Sequence, residues 1–155
     1  MPGLTFSAAR RRILASLLTL GGLGVLLRPV LALAGWNAEA FGAGTTGDAL
    51  EQLFDTRAIA QSTQITVEVQ DLVEDGAVVP VQVISALDGT QSITILAEKN
   101  PHPLIAHFDL GPGCRPAVAT RIKVAEPSNI IAVVRAGKGL FSARKYMEVV
   151  AGGCG

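Results

Sequence analysis

This 155-residue chain has only two histidines and two cysteines. It has no Gly-x-Ser-x-Gly elbow, no His-Glu-x-x-His pair, no Cys-x-x-Cys and no glycine-rich phosphate loop after a strand. Each of those patterns is the local signature of a familiar catalytic design, so the common hydrolase, zinc-protease, thiol-redox and nucleotide-binding sites are excluded. His102 and His107 lie five residues apart around Pro103. In an extended strand that odd spacing turns the two side chains to opposite faces, so they are not expected to share a metal ion. The acidic residues are scattered along strands and turns and read as solvated faces. Neither a metal nor any other cofactor is expected.

The chain also lacks an apolar run long enough to anchor it. Ile13 to Leu27 is fifteen residues, whereas about 20 are needed to cross a bilayer. The run follows Arg10-Arg11-Arg12 and precedes the small-x-small triplet Ala32-Leu33-Ala34, the order of an export signal. Arg10-Arg11-Arg12-Ile13-Leu14 fits the twin-arginine form, although Ala9 stands where such signals usually carry Ser or Thr. Residues 1–34 are therefore read as a cleaved twin-arginine signal, and the mature protein is expected in the periplasm without a stable membrane anchor. The signal holds four of the 13 basic residues (Arg10, Arg11, Arg12, Arg28) and no acidic one, so the mature charge is 9 − 13 = −4. A mildly acidic domain without a basic cluster is a poor partner for nucleic acid.

Residues 35–57 form an N-terminal segment with one short helix. Thr45 or Thr46 can cap it, and Ala49, Leu50, Leu53 and Phe54 recur three and four apart on one face. From residue 58 the period changes to that of strands. Ile65–Val69 and Val79–Val83 alternate apolar with polar residues, and Ile93–Ile95, Leu104–Leu110, Val118–Val124, Ile130–Val134 and Leu140–Val150 continue the pattern. Turn signals separate them at Asp75-Gly76, Asp88-Gly89, Asn100-Pro101, Gly111-Pro112-Gly113 and Gly137-Lys138-Gly139. About seven short strands over residues 58–150 predict an all-β, immunoglobulin-like sandwich. Pro80 inside a strand-like run predicts an edge position or a bulge there.

The cysteines remain. Cys114 sits in the turn-rich Gly111-Pro112-Gly113-Cys114-Arg115-Pro116, where it reads as a structural or incidental thiol. Cys154 sits in Ala151-Gly152-Gly153-Cys154-Gly155. Glycine has no side chain to pack and the widest range of backbone angles, so residues 151–155 read as a flexible arm that presents a thiol. No histidine or lysine accompanies Cys154 to lower its pKa, and the Gly155 carboxylate disfavours the thiolate. It is an attachment point and not a catalyst; the activating groups belong to a protein whose active site the arm enters. An even cysteine count in an exported protein also supports another reading, a binding or structural module closed by a Cys114–Cys154 disulfide.

The ending Gly152-Gly153-Cys154-Gly155 resembles the C-terminal arm of the SoxY family, the sulfur-carrier subunits of the periplasmic thiosulfate-oxidising Sox system. Glu74-Asp75-Gly76-Ala77-Val78-Val79-Pro80-Val81 resembles the family's strand entry, and Thr120–Val124 and Asn129–Val133 resemble two of its later strands. The resemblance implies a non-catalytic subunit whose Cys154 carries sulfur covalently, with Gly152, Gly153 and Gly155 giving it freedom. It implies a heterodimer with SoxZ, itself a small β-sandwich. It also implies a c-type cytochrome that conjugates thiosulfate as a cysteine S-thiosulfonate, a manganese-dependent hydrolase that releases sulfate, and in some systems a sulfur dehydrogenase. The family arm usually ends Gly-Gly-Cys-Gly-Gly, one glycine longer than here, and its members typically lack a counterpart of Cys114.

Overall fold

The computed structural model describes residues 37–150. Two helices lead in, α1 (Ala38–Gly42) and α2 (Thr46–Phe54). The Asn37 carboxamide oxygen accepts the Ala40 N–H at 3.0 Å and starts α1. Thr45 starts α2 reciprocally: its Oγ1 accepts the Asp48 N–H at 3.1 Å and donates to the Asp48 carboxylate at 2.7 Å. Asp55, in the left-handed conformation at φ 57°, ends the helix by donating its N–H to the Glu51 carbonyl. The expected helix is thus found with Thr45 as its cap. α1 was not anticipated, because five residues are too few to establish a period.

Nine strands follow: β1 (Ala60–Gln61), β2 (Ile65–Val69), β3 (Leu72–Val73), β4 (Val79–Ser85), β5 (Thr90–Ala97), β6 (Leu104–Asp109), β7 (Ala117–Ile122), β8 (Ser128–Ala136) and β9 (Gly139–Val149). They form a sandwich. One sheet runs β2-β4-β7, and the other runs β1-β9-β8-β5-β6 with β3 also on β9. Seven strands correspond to the seven periodic runs. The two additional ones, β1 and β3, are two residues each and pair in parallel with the outer edge of β9. Between them the chain leaves the large sheet, makes β2 in the small sheet, and returns. Among the described residues no helix is long and apolar enough to cross a membrane.

The main core lies between the sheets, where Val67, Val79, Val83, Ile93, Ile95, Ile130, Val134 and Met147 are buried. Each large aliphatic side chain removed from water in this way contributes roughly 1.5–3 kcal/mol before entropy is counted. A second core lies on the opposite face of the large sheet, where Ala49, Leu50 and Phe54 of α2 pack on Leu96, Leu104 and Val133. The helices thus cover a face that an isolated sandwich would leave wet. This changes β5. Ile93-Thr94-Ile95 alternates in sequence, yet every residue from Ser92 to Ala97 is buried. Thr94 is satisfied there by a 2.8 Å hydrogen bond with Nδ1 of His107.

Pro80 is neither on an edge strand nor in a bulge; β4 is the middle strand of the small sheet. Hydrogen-bond parity explains this. Ser85 donates to Pro116 on the β7 side, and Ala86 donates to Gln64 on the β2 side. Even-numbered residues of β4 therefore turn toward β2, whose pairing ends at Val69 opposite Val81. The N–H that Pro80 lacks would point past the end of β2, so no ladder bond is lost.

Candidate functional site

The sequence places its chemistry on Cys154 with Gly152, Gly153 and Gly155, all outside the described residues. What the fold describes is the platform from which that segment departs. Every second residue of β9 faces the core, among them Ala143, Met147 and Val149, while Arg144, Tyr146, Glu148 and Val150 face out. The last turn of the platform is held from the side by β3, with Leu72 opposite Glu148 and Val73 opposite Val149. Glu148 donates its N–H to the Asp71 carbonyl at 2.8 Å, and Val150 donates to the Val73 carbonyl at 3.0 Å. Lys145 reaches across to the end of β2, donating to the Val69 carbonyl at 2.8 Å and pairing with Asp71 at 3.0 Å. The strand end is therefore tied down up to its last described residue.

Gly76 locks the same corner. Its carbonyl accepts the Val124 N–H at 2.8 Å. A Cβ added at Gly76 would stand 2.2 Å from the Val124 carbonyl oxygen and 3.1 Å from Cγ1 of Val149. The sequence marks Asp75-Gly76 as a turn, and the Asp75 carboxylate does accept the Ala77 N–H. The decisive reason for glycine, however, is the close approach of another backbone, which only the assembled fold reveals. Asn100 braces this end as well, donating to the Lys123 carbonyl and accepting from the Ala125 N–H.

Large exposed apolar side chains gather around the platform. Leu72, Val78, Tyr146 and Val150 each keep about half or more of their surface in solvent. All four lie within a few residues of the Gly76–Val149 contact. The Tyr146 hydroxyl donates to the Glu148 carboxylate at 3.0 Å. That hydrogen bond, with smaller help from desolvation and from the negative charge, raises the phenol pKa above its ordinary value near 10.0. Tyr146 is the only tyrosine in the chain, so its ionisation can be followed directly by ultraviolet absorbance. Glu148→Gln will bring the titration midpoint down toward that of free tyrosine; an unchanged midpoint would show that the bond is not made in solution. Because the folded-state pKa is the raised one, the contribution to stability is present below pH 10 and disappears as pH rises through the folded pKa.

Cys114 is exposed and makes no disulfide among the described residues, in a turn where its N–H donates to the Gly111 carbonyl. It stands at the other end of the sandwich, since Pro116 meets Ser85 while Val124 meets Gly76. The histidines are not brought together. His102 is exposed ahead of β6, whereas His107 lies on β6 against Thr94, with Nε2 3.3 Å from Asp109 and its ring edge-on to Phe54. Among the described residues no three His, Cys, Asp or Glu side chains are grouped as metal ligands.

The family model for the sulfur oxidation protein SoxY matches residues 50–154. Among solved structures, the sulfur carrier protein SoxY from Chlorobium limicola f thiosulfatophilum is 34% identical, with a TM-score of 0.64, over 74% of this chain and all of that one. Superoxide reductase (neelaredoxin) from Ignicoccus hospitalis is 18% identical, with a TM-score of 0.50, over 56% of this chain and 80% of that one; this likeness is one of fold alone. Comparison with curated proteins finds no match.

Proposed function

This chain belongs to the SoxY family of sulfur oxidation proteins, and on that footing we propose that it carries the intermediates of thiosulfate oxidation covalently on Cys154. A sulfur-oxidation carrier role comes with the family; the attachment residue, the chemistry and the partners are our reading. The observation that carries it is position. The family match ends on Cys154, four residues beyond Val150, where β9 is held by β3. Fixed base, thiol and glycines together describe a handle with a short tether.

In the proposed cycle the Cys154 thiol and thiosulfate are joined oxidatively. An S–S bond forms, one proton leaves, and two electrons pass to a c-type cytochrome, giving cysteine S-thiosulfonate. A manganese-dependent hydrolase then adds water to the terminal sulfur; sulfate and two protons leave, and a persulfide anion stays on Cys154. Where a sulfur dehydrogenase exists, it oxidises that remaining sulfur. The chain itself supplies no acid, base or metal to these steps, which is why it is read as a non-catalytic subunit. It works beside a SoxZ-like sandwich in the periplasm, reached by the twin-arginine signal at residues 1–34. Four residues span at most ~14 Å, so an enzyme that takes in the Cys154 sulfur must bring its opening close to Val150. Leu72, Val78, Tyr146 and Val150 then lie at the contact, and their exposure is consistent with a transient apolar interface.

The second reading is a module closed by a Cys114–Cys154 disulfide; against it, Cys114 lies in the loop before β7 (Ala117–Ile122), whose far end leads to Val124 beside Val149. The test is intact mass after incubation with thiosulfate and the periplasmic extract of the source organism. A reducible adduct that maps to the peptide holding Cys154, and persists in Cys114→Ser, is expected. No adduct, with a wild-type mass two hydrogens below the reduced form, would establish the disulfide module instead.

A further inference from the structure

We infer that the cleft between the β1–β2 turn and β9 is a binding site for a free tetrahedral sulfur oxyanion such as thiosulfate or sulfate. The cleft encloses about 270 Å³ and is lined by Gln61, Ser62, Thr63, Ser142, Ala143 and Arg144. No carboxylate lines it. Its lining residues carry three hydroxyls, one carboxamide and one guanidinium, and its volume exceeds what such an anion requires. Arg144 is exposed and has no hydrogen bond or ion pair with any described residue. By contrast, Arg57 is held by Asp48 and Glu51, and Lys145 by Asp71. A guanidinium with five donors left open beside hydroxyls is suited to a doubly charged oxyanion.

The backbone adds to the site. Ser142 accepts the Ser62 N–H through its carbonyl, and Glu148 and Val150 donate toward β3, so even-numbered residues of β9 turn their peptide groups to this edge. Arg144 falls where β1 has ended and β3 has not begun. Its N–H therefore opens on the same side as the cleft, where the chain has left to build β2. The Ser62 hydroxyl accepts the Gln64 N–H, which orients it and leaves its own proton to donate.

The ligand is a free anion, not the sulfonate carried by Cys154. Ser142 is eight residues back along β9 from Val150, about 26 Å of strand, and the tether spans ~14 Å. The inference is thus independent of whether Cys154 is loaded, although the choice of sulfur oxyanions rests on the proposed function.

The test uses the full chain, ¹⁵N-labelled, titrated with sodium thiosulfate and separately with sodium sulfate against sodium chloride at constant ionic strength. Saturable amide shifts confined to residues 61–63 and 142–144 are expected, with dissociation constants in the millimolar range. Arg144→Gln will weaken binding by tenfold or more and Ser142→Ala by a few-fold, while Arg121→Gln, on the small sheet, will leave it unchanged. Shifts that do not saturate, or that are the same in Arg144→Gln, would overturn the inference, as would equal weakening by Arg121→Gln. Cys154→Ser is included to keep the two proposals separate: it must bind the anions as wild type does, even though it carries no covalent sulfur.

Discussion

Cys154→Ser will form no thiosulfate adduct and support no thiosulfate oxidation, yet it will melt within about 2 °C of wild type. Serine is nearly the same size as cysteine, but its oxygen cannot form the S–S bond on which the carrier chemistry depends. The loss is therefore complete and not graded. Stability is spared because Gly152, Gly153 and Gly155 bring no side chains to pack around the thiol, and a surface exchange away from core, cap or network stays within about 0.5 kcal/mol. Differential scanning calorimetry and intact mass on one preparation check both halves. A fall of several degrees would mean that the thiol is built into the fold, and a residual adduct would mean that Cys114 carries sulfur.

Gly76→Ala has the opposite profile: it damages the fold through a residue with no chemistry. A methyl group at Gly76 would meet the Val124 carbonyl oxygen at 2.2 Å, which no backbone tolerates, and would press on Val149. Relief requires the Gly76–Val124 hydrogen bond to open and the β3–β9 clamp to shift. Overpacking costs ~1–3 kcal/mol, and a buried partner left unpaired costs about the same. The smaller chain entropy of alanine in the unfolded state returns less than ~1 kcal/mol. The clash prevails, and a net loss of about 2–3 kcal/mol should lower the melting temperature by roughly 10 °C. Amide exchange at Val150 should also quicken, because its bond to the Val73 carbonyl belongs to the same corner. Unchanged melting and exchange would show that the end of β9 is not rigid.

The period of the sequence was sufficient to find α2 and the seven long strands, because each has at least five residues over which apolar positions can repeat. It was insufficient for α1, β1 and β3. Two residues such as Leu72-Val73 carry no period, and their strand character comes from β9 lying alongside. Thr94 illustrates the other failure: a polar residue in an alternating run reads as solvent-facing, but α2 covers that face and His107 meets the hydroxyl. Pro80 was misplaced because the rule that keeps proline from central strands concerns a hydrogen bond, and the strand that would have accepted it stops one residue earlier.

What the sequence determined by itself was local: the strand periods, the turn signals between them and a thiol set among glycines. These are properties of neighbouring residues, and neighbours are what a sequence displays. Only the tertiary structure decided that β3 clamps the end of β9, that Gly76 must lack a side chain because Val124 passes over it, that Cys114 stands at the far end from Val150, and that Arg144 lies unpaired on the edge of β9 between β1 and β3. Each joins residues that are distant along the chain, brought together by burial of the two cores, and no local pattern encodes which strand lies next to which.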